Sequence, residues 1–142
     1  MCFDECISFA FPSAIAPLAL HINALELYVL VMAVRLWAPK LAGSRFQILS
    51  DNDAAIQVVR SGRSRDAFMH CCLRQLWFTS ARYDLELYVS HIPGVHKVFA
   101  DCLSRWDADS SFHRKFHDLA SQRNICFHML SIDSEDLAFD LS

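Results

Sequence analysis

The chain has 142 residues, 54% of them hydrophobic and 20% charged, with a formal net charge of −3. That apolar content excludes disorder, and the length suits one domain with a core of its own. The six cysteines form no CxxC pair and no paired Cys/His zinc spacing, so reduced, partly buried thiols are expected rather than a disulfide framework or a zinc module.

Taken in order, the N-terminus MCFDECISF carries two acids and no basic residue, which excludes a secretory signal and points to an intracellular protein, cytoplasmic or nuclear. The stretch CFDECISFAFP predicts a strand, followed by an irregular connection through Pro12 and Pro17. NALELYVLVMAVRLW then predicts a helix whose only charges are Glu26 and Arg35. Being apolar nearly all round, it should be buried on most faces. Its apolar run, Ala24 to Trp37, is too short and too charged for a membrane span. Asn23 followed three residues later by Glu26 reads as a capping box, and Pro39 and Gly43 should end the helix and its loop. Phe46, Ile48 and Leu49 predict a buried strand over 46–50. Ala54, Ala55, Ile56, Val58 and Val59 predict the helix after it, for which Asp51, Asn52 and Asp53 are each competent N-caps.

The polar run 61–66 is a turn. A helix from Asp66 to Tyr83 follows, with Trp77 and Phe78 read as core. A strand over 84–91 is closed by Ile92-Pro93-Gly94, and a helix over 96–105 ends near Trp106. Strands alternating with helices in this way predict an α/β layer with helices covering a sheet. Beyond Trp106, Phe112, Phe116, Leu119 and Ala120 predict one more amphipathic helix, residues 125–132 a short extended piece, and DSEDLAFDLS a loose acidic tail. His113 and His117 stand four apart on that helix without a third metal ligand. Two regions are therefore expected, 1–106 and a C-terminal extension 107–142. Their formal charges are +1 (10 basic, 9 acidic) and −4 (3 basic, 7 acidic).

Three acids fall where chemistry is possible. Asp51 ends a strand at the edge where open α/β sheets bind ligands. Glu26 is a carboxylate on an otherwise apolar helix and needs a partner, a shifted pKa or a cation. Asp101 lies on the helix after the Pro-Gly turn. Read together, HINALEL, ILSDN and HIPGVHKVFADCLSR resemble the ribonuclease H domain of retroelement reverse transcriptases, most closely the tyrosine-recombinase, DIRS-like type. The resemblance spans His21 to Trp106 and implies a ribonuclease H-like mixed sheet flanked by helices, without the family's first strand hairpin. It also implies an upstream reverse transcriptase domain in the parent element.

The family holds two divalent cations, Mg²⁺ or Mn²⁺, with four carboxylates, and Glu26, Asp51 and Asp101 match the last three. His91 stands ten residues before Asp101 (101 − 91 = 10), where the family places a mobile histidine for proton transfer or product release. Two metals about 3.5–4 Å apart would activate water and stabilise the leaving oxygen of a phosphodiester. The substrate implied is RNA in an RNA/DNA hybrid, recognised by groove shape and 2′-hydroxyls. Asn52, Arg63, Arg65 and Lys97 are the candidate nucleic-acid contacts. Two departures stand out: no glycine-rich hairpin carrying the family's first aspartate precedes Glu26, and Lys97 replaces the usual asparagine. The expectation is thus a ribonuclease H-type domain with impaired cleavage, set against an active nuclease in which Asp4 or water supplies the fourth ligand. The third reading is a non-catalytic nucleic-acid-binding or interaction fragment of the same fold.

Overall fold

A computed structural model describes residues 2 and 5–141, so Asp4 lies outside the described residues. It is an α/β structure with six α-helices and four short strands among the described residues. The strands form two separate parallel pairs, not one mixed sheet. Two compact units divide the chain, Met1–Phe11 with Pro93–Asp136, and Pro12–Ile92 with Leu137–Ser142.

In the second of these units the centre is α1 (Ile22–Leu41). Leu27, Tyr28, Val31, Met32 and Ala38 are at most 1% exposed, which fits a helix apolar on nearly all faces. By length and composition it is also long and apolar enough to cross a membrane, with half of the relevant window buried inside its own fold. The expectation that it is too short for a span is corrected by its 20-residue length. Its N-cap is His21, whose Nδ1 accepts from Asn23 N–H at 3.2 Å. The Asn23 capping box does not form, because the Asn23 side chain is turned to Asn52, accepting from Asn52 Nδ2 at 3.0 Å. Pro39 does not end α1 but sits within its last turn. So near the C-terminus its fixed φ is already helical and its missing N–H removes a single bond.

The strands β2 (Arg45–Ser50) and β3 (Glu86–His91) run parallel, with Ser50 opposite His91. Between them come α2 (Asp53–Ser61), ended by Gly62 in the left-handed region at φ 66, and α3 (Ala67–Tyr83), capped by Asp66. Helix α3 packs on α1, and its Met69, Cys72, Leu73 and Leu76 form a buried stripe. That stripe turns the neighbouring positions away, so Trp77 and Phe78 are 46% and 61% exposed and are not core as expected. One face of the strand pair carries the exposed Arg45, Gln47, Leu49, Glu86 and Tyr88, so helices cover only its other face. The tail is docked, not loose. Arg35 Nε donates to Leu137 O at 3.0 Å, Phe139 lies 5.0 Å from the Tyr28 ring, and Cys71 Sγ donates to Leu141 O at 3.2 Å.

In the other unit, β1 (Glu5–Cys6) pairs in parallel with β4 (His128–Met129), so the expected N-terminal strand shortens to two residues. Helices α4 (Gly94–Ser104) and α5 (Ser110–Gln122) enclose a core of Cys6, Phe99, Cys102, Phe116 and Ala120. Phe116 meets Phe99, Trp106 and Phe127 edge-on at 5.4, 5.6 and 4.4 Å. His113 stacks on Trp106 at 3.9 Å and its Nε2 lies 2.6 Å from Trp106 O, so this histidine is occupied by packing. The last helix, α6, is the single turn Ser134–Leu137.

Candidate functional site

The parallel register brings the carboxyl ends of β2 and β3 side by side, and ligands bind at such ends in open α/β sheets. Asp51 follows β2 directly, and His91 closes β3 opposite Ser50. The α2 cap decides between the three candidates here. Asn52 Oδ1 accepts from Ala55 N–H at 2.8 Å, which leaves neither Asp51 nor Asp53 in the N-cap role. Asn52 is further held by its own N–H, which donates to Ser50 Oγ at 3.2 Å. Through Asn23 it ties the first turn of α1 to the β2–α2 junction.

On that same helix stands Glu26, half-buried. Burial pushes its carboxyl above the usual range, and the negative charge of Asp51 raises it further. Both effects disfavour the ionised form. A cation bound by the two carboxylates would favour their ionised forms and so offset both effects. Asp53, the first residue of α2, has Oδ1 3.2 Å from His91 Nδ1, with both side chains well exposed. The structure therefore gathers Glu26, Asp51, Asn52 and His91 in one unit. It adds Ser50, which the sequence did not single out, and gives Asn23 and Asp53, read there only as cap residues, the partners Asn52 and His91. The Asn23 and Asp53 roles had no local signal, since each depends on a partner 29 or 38 residues away.

Asp101 and Lys97 stand exposed on α4, in the other unit. Arg63 and Arg65 are exposed in the loop between α2 and α3. Arg60, their neighbour, is committed instead to β3, donating from Nε to Val89 O at 3.0 Å.

As a donor set, Glu26 and Asp51 suit one hard cation. Mg²⁺ is commonly held by one or two carboxylates with its other positions left to water and phosphate. Among the described residues no group of three His, Cys, Asp or Glu side chains is placed to hold a metal ion. No protein-family model matches the chain, and no curated protein or solved structure matches it either.

Proposed function

We propose that the chain is a ribonuclease H-type domain of retroelement origin, working inside the cell on RNA in RNA/DNA hybrids. The reading rests on the resemblance of HINALEL, ILSDN and HIPGVHKVFADCLSR. One structural feature supports it above the rest: the carboxyl of Glu26, on α1, is raised by burial and by the negative charge of Asp51 at the end of β2, two of the matched acids. A divalent cation would polarise phosphate oxygens and generate hydroxide from bound water. Glu26 and Asp51 would hold it. His91, whose Nδ1 faces Asp53, would carry protons through its other ring nitrogen. Arg63, Arg65 and Lys97 would contact the hybrid's phosphates, and their contribution should weaken as salt rises.

Cleavage is expected to be weak. The two-metal mechanism stabilises attacking and leaving oxygens together, and two carboxylates are enough for one metal only. The test uses the full chain with a labelled RNA/DNA hybrid and Mn²⁺, alongside thermal shifts. Expected results are salt-sensitive hybrid binding, a Mn²⁺-dependent rise in Tm, and loss of that rise in both Asp51→Asn and Glu26→Gln. Equal Mn²⁺ shifts for wild type and both variants would overturn the metal site. Absence of hybrid binding at low salt would overturn the substrate. Hybrid binding with no cleavage at any metal concentration is the second reading, a binding module built on the same residues.

A further inference from the structure

Helix α3 exposes a face that the nuclease chemistry does not use. His70, Arg74, Trp77, Phe78, Ala81 and Arg82 are all exposed. At 3.6 residues per turn they share one side of the helix, opposite the buried Cys72, Leu76 and Thr79. The solvent side of a helix is ordinarily polar. Here two large aromatic side chains stand next to each other at the surface, and the helix carries two arginines and no aspartate or glutamate.

The surroundings are cationic as well. The indole of Trp77 reaches the end of α2, where a Cβ added to Gly62 would stand 3.4 Å from its Cζ2. Arg63 comes directly after Gly62, and both Arg63 and Arg65 are exposed. The His70 ring is edge-on to Trp77 at 6.5 Å, and the Arg82 guanidinium lies over the Tyr83 ring at 5.5 Å. Trp77 also lines a groove of about 550 Å³ along β3, and the acid lining that groove, Glu86, is paired with Arg45 at 2.9 Å. Arg74 and Arg82 lie about 12 Å apart along the axis at 1.5 Å per residue. Trp77 and Phe78 stand between them.

The ligand that matches cations on either side of two exposed rings is a polyanion with flat apolar groups between its charges. Single-stranded nucleic acid has that pattern, since its phosphates suit the arginines and its bases stack on aromatic side chains. A duplex or hybrid keeps its base faces inside the helix and would give Trp77 and Phe78 nothing to stack on. An acidic peptide would satisfy the arginines and leave the rings in water. An anionic membrane calls for a long apolar stripe on the exposed side, whereas the long apolar stripe of α3, Met69, Cys72, Leu73 and Leu76, is buried.

We propose that the exposed face of α3 binds single-stranded nucleic acid, with bases stacked on Trp77 and Phe78 and phosphates held by Arg74 and Arg82. Arg63 and Arg65 add positive potential at the Trp77 end. The proposal does not depend on the nuclease reading, because it uses neither the carboxylates nor a metal. Its test is fluorescence anisotropy in metal-free buffer, with the full chain and labelled oligouridylate or oligothymidylate over a salt series. A blunt RNA/DNA hybrid and phosphatidylserine vesicles are run beside them. Each variant is checked for folding by its far-ultraviolet circular dichroism and melt.

Wild type is expected to bind at least one of the two oligonucleotides at low salt, and the preference between them tells RNA from DNA. Trp77→Ala and Phe78→Ala should each weaken that binding at least about fivefold and leave hybrid binding unchanged. If Trp77→Ala fails to fold, through loss of its contact with Gly62, the more exposed Phe78 decides alone. Arg74→Gln with Arg82→Gln should reduce the slope of log affinity against log salt by about 1.4, about 0.7 for each phosphate contact on a single strand. No binding of either oligonucleotide at low salt overturns the proposal. So does a folded Phe78→Ala protein that binds them as wild type does, an equal loss on the hybrid, or binding to the vesicles alone.

Discussion

Replacing Asn52 with alanine tests the junction on which the candidate site rests. Asn52 Oδ1 caps α2 through Ala55 N–H at 2.8 Å, and its Nδ2 reaches Asn23 Oδ1 at 3.0 Å. Loss of an N-cap costs about 1 kcal/mol, and loss of a part-buried side-chain hydrogen bond about another 1 kcal/mol. Asn52→Ala should therefore lower stability by about 2 kcal/mol, a fall in Tm of roughly 5–10 °C for a chain of this size. Denaturant titration of wild type, Asn52→Ala, Asn23→Ala and the double variant completes a cycle. A coupling of about 0.5–1.5 kcal/mol between the two asparagines is expected. Asn52→Asp keeps the capping oxygen, loses the donor to Asn23, and adds a negative charge beside Asp51. It should be less stable than wild type without metal and should recover with Mn²⁺. If Asn52→Ala falls within about 0.5 kcal/mol of wild type, as an ordinary surface change does, or if the coupling is zero, the junction is not held as argued.

The other predictions concern single groups. Because the folded state raises the Glu26 carboxyl, it retains a proton that the unfolded chain has already released. Its stabilising contribution is full below the unfolded pKa and is lost as pH rises through the folded one. In metal-free buffer Glu26→Gln should thus raise Tm at neutral pH by a margin that shrinks as pH falls towards 4, about the usual glutamate pKa; a margin constant with pH would contradict this. Phe116→Ala empties the centre of the α4–α5 core and should cost about 3–5 kcal/mol by chemical denaturation, with a change under about 1 kcal/mol refuting the packing described. Burial pushes the Cys72 thiol up to about 12 while Cys126 is exposed. A thiol reagent at mildly alkaline pH should then label Cys126 rapidly and Cys72 only on unfolding, as peptide mass mapping would show.

Much of the secondary structure could be read locally because its signals are local. Asp66 and Asn52 sit at helix starts with a side-chain oxygen to offer, and Gly62 supplies the left-handed residue that ends α2. The α1 core role followed from the stretch NALELYVLVMAVRLW, apolar but for one acid and one base. Facing was harder. Trp77 and Phe78 are one and two steps past Leu76, and helical spacing alone does not say which of several apolar stripes meets α1. Pairings across the chain were not legible at all. Nothing near Glu5 announces His128 as its β partner, and nothing in DSEDLAFDLS announces that Phe139 meets Tyr28. At the candidate site, Glu26 and Asp51 stood out by their places on an apolar helix and at a strand end, and His91 only through the resemblance. What holds them, Asn23 against Asn52 and Asp53 against His91, depends on long-range register.

The docking of residues 137–141 has a consequence for synthesis. Arg35 and Leu137 O are 102 residues apart, and Phe139 reaches Tyr28 on the same helix. A ribosome releases α1 and α3 long before it releases the segment that covers Tyr28. Closing so long a loop adds an entropic cost that grows only slowly with length, so the contact is affordable once the segment exists. Until then the Tyr28 and Arg35 side of α1 has no tail against it. A nascent chain stalled between Tyr83 and Leu137 would expose this flank, which makes that interval of translation the one in which a chaperone would have an apolar surface to hold.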